Sequence, residues 1–234
     1  MSEPDVLGVI DHAVLRPDLT EHELIQGCEI AARHRVAACV APPCWLPLVV
    51  SRLRGTTVAP ATVVGFPLGT QTTASKSVEA YDAVMAGARE VDMVMNYSAL
   101  RSGYFELVEY DLRAVVQACG QAAQRLGEGP VIVKVILEAC YLTDDEKRRA
   151  VELAVAAEAD FVKTSTGLGP GGATVEDVRL MRRVAPPEVG VKAAGGLRTL
   201  TDCRRFLEAG ASRLGTSATE AIARELDAFG PAAV

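Results

Sequence analysis

A chain of 234 residues with 49% hydrophobic residues can bury a large core, and it fits one of the larger single-domain architectures or two small domains. A net charge of -6 and a pI near 5.2, with acidic and basic residues interspersed, argue against a nucleic-acid or anionic-membrane surface and favour a small-molecule partner. No basic segment leads into an apolar core at the N-terminus and no apolar run approaches a membrane span, so a soluble cytoplasmic protein is expected.

Along the chain, short runs rich in Val, Ile and Ala recur, each closing on a polar or small residue. The first four are VIDHAV (9–14), VAACVAP (36–42), ATVVGF (61–66) and EVDMVMN (90–96). VIVKVIL (131–137), ADFVKTS (159–165), GVKAAG (190–195) and SRLGTS (212–217) complete the set. Between them lie amphipathic segments such as EHELIQGCEIAARH, SKSVEAYDAVMAGA, TDDEKRRAVELAVAAE and TVEDVRLMRRV, several starting after Ser or Thr and several ending near Gly. Pro42 and Pro43 precede a brief helix after the second strand.

Strand spacings of roughly 22 to 40 residues leave room for one crossover helix each, and eight such units predict a (β/α)8 TIM barrel. The expected organisation is a single domain over residues 1–234, with a short N-terminal turn and a C-terminal tail. A doubly wound open sheet is the competing fold. It would want a glycine-rich fingerprint after the first strand, and IDHAVLRPDLT has no glycine.

Six cysteines without a CxxC pair read as free, mostly buried thiols. Of three histidines only His12 lies on a strand; His22 and His34 read as surface helix residues, and no metal-ligand spacing occurs, so no metal or other cofactor is expected. The chain uses 19 arginines and only 5 lysines. Arginine cannot replace a lysine that must lose its proton, which makes the surviving lysines informative. Lys76 and Lys147 lie in polar helical surroundings and are expected at the surface, whereas Lys134, Lys163 and Lys192 sit inside apolar runs.

A barrel carries its chemistry at the C-terminal ends of its strands, where Asp11, His12, Asp92, Asn96, Lys134, Glu138, Lys163 and Lys192 fall. Lys163 and Lys192 occupy matching positions on neighbouring strands. Two ammonium groups close together in a desolvated interior drive at least one pKa toward neutrality, and a neutral amine attacks carbonyls. The structural alternative is that each lysine only pairs with a carboxylate such as Asp92 or Glu138. Asp92 can act as counter-ion or relay a proton, and Asp11 can equally be a loop organiser. TGLGPGG (166–172), AGGLRT (194–199) and GTSAT (215–219) add three glycine-rich loops on adjacent strands, the usual place for phosphate in such barrels.

In order, IDHAVLRPD, CVAPPC, ATVVGFPLGTQTTASK, EVDMVMN, KVILEACYLTDDEK, FVKTSTG, GGATVEDVRLM, VKAAGGLRT and GTS resemble the pattern of the deoxyribose-phosphate aldolase family, over nearly the whole chain. That resemblance implies a metal-free class I aldolase reversibly cleaving 2-deoxy-D-ribose 5-phosphate to acetaldehyde and glyceraldehyde 3-phosphate. It implies that Lys163 forms the Schiff base, Lys192 tunes it and takes part in proton transfer, and Asp92 shuttles protons. Gly167, Gly195, Gly196, Gly215 and Ser217 would hold the phosphate, and Asp11 and Lys134 would support the substrate site. Ala13, Ala194 and Ala218 depart from the pattern, which often has Thr, Ser and Ser there; each loses a hydroxyl worth about 1 kcal/mol. Other readings of the residues are a Schiff-base aldolase for another aldehyde pair and a phosphate-ligand-binding barrel without catalysis. A homo-oligomer is expected, as is common for barrels of this size.

Overall fold

The computed structural model describes residues 5–229. The expected C-terminal tail, residues 230–234, lies outside them, while the expected N-terminal turn is a single 3-10 turn at Leu7–Val9. Eight parallel strands follow in chain order and close into a barrel with each strand paired to its sequence neighbours and β1 paired to β8. They are β1 (Ile10–Ala13), β2 (Ala38–Ala41), β3 (Ala59–Val64) and β4 (Glu90–Val94), then β5 (Ile132–Ile136), β6 (Phe161–Lys163), β7 (Gly190–Ala194) and β8 (Arg213–Thr216).

The helices are α1 (Glu21–Arg33), α2 (Leu46–Leu53), α3 (Thr73–Met85), α4 (Tyr97–Arg101), α5 (Phe105–Leu126), α6 (Asp144–Ala156), α7 (Val175–Val184), α8 (Leu200–Glu208) and α9 (Thr219–Phe229). Five of them start behind a threonine whose side chain accepts a backbone N–H of the first turn: Thr20, Thr72, Thr143, Thr174 and Thr199. At Thr20, Thr143 and Thr199 an acidic side chain three residues on reaches back to the cap, which satisfies a second orphan N–H and sets the helix start. The apolar faces of these helices pack on the outer side of the barrel. That layer, and not the barrel interior, forms the main core.

The interior is divided. β2 and β3 contribute Ala38, Val40, Ala61 and Val63, a small apolar cluster separate from the outer core. The other strands turn charged side chains inward. The register sets Asp92 beside Lys134, Lys163 beside Lys192, and Lys192 beside Arg213.

Two lysines expected at the surface are not there. Lys76 is fully buried, because α3 packs against α5, which presents Asp111: Lys76 Nζ donates to Asp111 Oδ2 at 2.6 Å and to the Val94 carbonyl at 3.0 Å. Thr73 donates to the second Asp111 oxygen at 2.9 Å, so the carboxylate is bonded at both ends. Lys147 has 12% of its side chain exposed and lies 2.6 Å from Asp177, bridging α6 to α7. His34, also expected outside, is half-buried with Nε2 3.0 Å from Glu220; His22 is exposed. Of the cysteines, Cys28, Cys39, Cys119 and Cys203 are buried, and Cys44 and Cys140 are exposed. No described helix is long and apolar enough to cross a membrane.

Candidate active site

The interior charges form one contact network. Lys134 Nζ lies 3.0 Å from Asp11 Oδ2 and 3.0 Å from Asp92 Oδ1, and it also pairs with Glu90. Lys192 Nζ lies 2.6 Å from Asp92 Oδ2 and bonds Asp11 as well. Arg213 Nη1 is 2.6 Å from Asp11 Oδ1 and 3.0 Å from Glu90 Oε2. Lys163 Nζ donates to Asp92 Oδ2 at 2.7 Å, its one carboxylate contact among the described residues.

Four cations therefore share three carboxylates. With every group ionised, the buried cluster carries one positive charge in excess, and loss of one proton neutralises it. Lys163 is the group with the fewest anionic partners, so it is the cation that gives the proton up at least cost. Burial pushes its amine down to about 8; Asp92 opposes that shift, and the Lys192 and Lys134 ammoniums reinforce it. For Asp92 burial works the other way, yet the ammoniums of Lys134, Lys163 and Lys192 hold its carboxyl well below the usual range. Asp11 is likewise lowered against burial by Lys134, Lys192 and Arg213. Lys134 stays firmly charged, its burial outweighed by Asp11, Asp92 and Glu90.

Above this network a cavity of about 230 Å³ opens at the C-terminal ends of the strands. Lys163, Lys192 and Asp11 form its floor, and Gly167, Gly195, Gly196, Gly215 and Ser217 lie along its walls. Its size suits a small substrate. The glycines are required sterically. A Cβ on Gly215 would stand 2.8 Å from Ala194 Cβ and 3.2 Å from Lys192 Cε, so its absence leaves the passage through which Lys192 reaches Asp92. Gly195 has φ +92, and a Cβ there would stand 3.0 Å from the Gly172 Cα. Glycine at both positions lets the β6 and β7 loops touch backbone to backbone.

Eight of the ten residues expected at the site line the cavity. Lys134 and Asp92 do not. Both are fully buried beneath the floor, Lys134 because three carboxylates hold its ammonium below the cavity. Asp92 meets the cavity only through Lys163 and Lys192. Glu138, also at a strand end, has left the barrel interior: at φ 52 it turns into the β6 loop and accepts from Thr166 Oγ1 at 2.5 Å. Asn96 caps α4 through a bond from Ala99 N–H.

Two members of the network, Glu90 and Arg213, were not expected at the site. The two-residue period of a strand marks both, since Glu90 shares a face with Asp92 and Arg213 with Gly215. On the rim, Arg16 is pinned by Asp18 at 3.0 Å and Glu23 at 2.9 Å, and Arg198 borders the glycine pair. Among the described residues no group of three or more His, Cys, Asp or Glu side chains is disposed to hold a metal ion.

A buried lysine with a lowered pKa on the floor of a polar barrel cavity defines an enzyme of the imine-forming kind, with carbonyl compounds as its substrates. The chain belongs to the DeoC/LacD family of aldolases, whose sequence profile matches residues 6–223. It is 51% identical over 209 residues to a deoxyribose-phosphate aldolase from Streptococcus equi subsp. zooepidemicus, covering 89% of this chain and 91% of that one. With a deoxyribose-phosphate aldolase from Caldanaerobacter subterraneus subsp. tengcongensis it shares 47% identity over 221 residues, covering 94% and 93%. The structure of a deoxyribose phosphate aldolase from Aeropyrum pernix superposes with a TM-score of 0.86 at 30% identity, covering 97% of this chain and 93% of that one.

Proposed function

We propose that this protein is a class I aldolase that reversibly cleaves 2-deoxy-D-ribose 5-phosphate to acetaldehyde and D-glyceraldehyde 3-phosphate. The observation that carries the reading is the singly paired Lys163, which burial pushes down to about 8, on the cavity floor beside Lys192. Its neutral amine attacks C1 of the open-chain sugar, and loss of water leaves a protonated imine. That cation withdraws electrons from the C2–C3 bond. The C3 hydroxyl gives up its proton as the bond breaks, releasing glyceraldehyde 3-phosphate and leaving an enamine on Lys163. Protonation of the enamine at C2 and hydrolysis then release acetaldehyde.

Lys192 borders the cavity and hydrogen-bonds Asp92 and Asp11, which favours it as the group that exchanges protons with substrate, directly or through one water. Asp92, buried under both amines, orients them and takes up charge as Lys163 changes state. The phosphate goes to the Gly195–Gly196 and Ser217 side, where the β7 and β8 loops line the cavity and α9 begins two residues after Ser217.

Borohydride reduction with acetaldehyde tests the reading. The expected result is one two-carbon adduct, mapped by mass spectrometry to Lys163, with turnover that survives a chelator. Lys163→Arg should fold and form no adduct, because a guanidinium keeps its proton. An adduct elsewhere, or none, would end the proposal.

A further inference from the structure

His12 is the one histidine on a barrel strand, and the chemistry at Lys163 makes no use of it. Its neighbours Asp11 and Ala13 line the cavity, so strand alternation turns His12 outward. There it is 4% exposed, and its Nδ1 lies 2.8 Å from Oγ1 of Thr219, the fully buried first residue of α9. Burial pushes the imidazole down to about 4, with His34 reinforcing and Glu220 opposing the shift, so the ring is neutral near pH 7.

The start of α9 needs such a tie. Where five other helices have a threonine cap, Ala218 precedes α9: its carbonyl accepts from the N–H groups of Ala221 and Ile222 at 3.0 and 3.1 Å, but its methyl caps nothing. The turn before it is fastened by Thr216, whose hydroxyl donates to the Leu197 carbonyl at 2.7 Å and accepts from Ala218 N–H at 2.9 Å. Ser217 thus sits between two anchors. One is Leu197 in the glycine loop after β7; the other is His12, through Thr219.

We infer that His12 is a positioning residue for recognition of the substrate phosphate: its bond to Thr219 sets the start of α9, and with it Ser217, against Gly195 and Gly196. The inference rests on the phosphate placement proposed above. Backbone donors discriminate for an anion only when held at a defined spacing, and a neutral imidazole acts here through geometry and not through charge.

Steady-state kinetics on the phosphorylated sugar and on its unphosphorylated counterpart, deoxyribose, test it in five proteins: wild type, His12→Phe, Thr219→Val, His12→Asn and Thr219→Ser. The Phe and Val changes remove the bond from either end, whereas Asn places an amide near the Nδ1 position and Ser keeps the hydroxyl. Expected for the Phe and Val variants is a rise of about tenfold in KM for the phosphorylated sugar. Its kcat, and the catalytic efficiency toward deoxyribose, should each stay within about twofold of wild type. The Asn and Ser variants should remain near wild type. Equal losses on both sugars, or no loss on the phosphorylated one, would overturn the positioning role. Should His12→Phe fail to fold, Thr219→Val decides alone. A wild type without preference for the phosphorylated sugar would overturn the phosphate reading and this inference with it.

Discussion

Lys192→Met isolates the electrostatic part of Lys163 activation. The two amines share Asp92 Oδ2 at 2.7 and 2.6 Å, so their nitrogens stand no more than about 5.3 Å apart, the sum of those distances. At an effective dielectric of about 20 such a like-charge pair repels by about 3 kcal/mol, or about two pKa units. Burial of Lys163 persists in the variant, so its amine should move from about 8 toward about 10. The assay is the pseudo-first-order rate of acetaldehyde adduct formation with cyanoborohydride, followed by intact mass across pH. In wild type the rate should climb through an apparent pKa near 8 and level off above it, because only the neutral amine reacts. For the variant that inflection should move up by one to two units, which at neutral pH slows trapping by about tenfold or more. An inflection in Lys192→Met at or below that of wild type would refute repulsion as a cause of the lowered Lys163 pKa.

The same group has a signature in stability. Its folded-state pKa of about 8 lies below the 10.5 of an exposed lysine, so protonated Lys163 destabilises the fold at pH values below 8, and the deficit disappears above 10.5 where both states are neutral. Lys163→Met should therefore raise Tm most near neutral pH, with a gain that shrinks toward pH 10.5; a gain constant with pH would contradict the charge balance of the cluster. Gly215→Ala should lower kcat/KM by about tenfold or more, since the new methyl displaces Lys192; wild-type kinetics would show that the passage is not tight. Lys76→Met should cost about 3–5 kcal/mol in denaturant unfolding, because it strands Asp111 in the α3–α5 contact, and a loss below about 1 kcal/mol would show that pair to be dispensable.

The barrel was legible because its buried parallel strands are near-continuous Val, Ile and Ala runs, and their alternation with helical patterns leaves few topologies. Lys163 and Lys192 stood out through a choice of residue type, lysine in a chain that otherwise uses arginine. Other assignments failed for local reasons. Lys76 lies in TASKS, a polar stretch that reads as surface until α5 brings Asp111 against it. Arg213 precedes an apolar Leu214 and resembles any other arginine, although its inward face could have been read from its two-residue spacing to Gly215.

By itself the sequence determined the order and number of the strands, the helical crossovers between them and the strand ends where chemistry falls, whereas the helices α4 and α9 and the register that sets Lys163 beside Lys192, but Lys134 beside Phe161, came with the closed sheet. Only the tertiary structure decided the charge account. Asp11 on β1 reaches Lys134 on β5 and Lys192 on β7 because closing the sheet brings distant strands around one axis. That closure sets four cations against three carboxylates, sinks Asp92 and Lys134 below the cavity, and leaves Lys163 as the amine with the least hold on its proton.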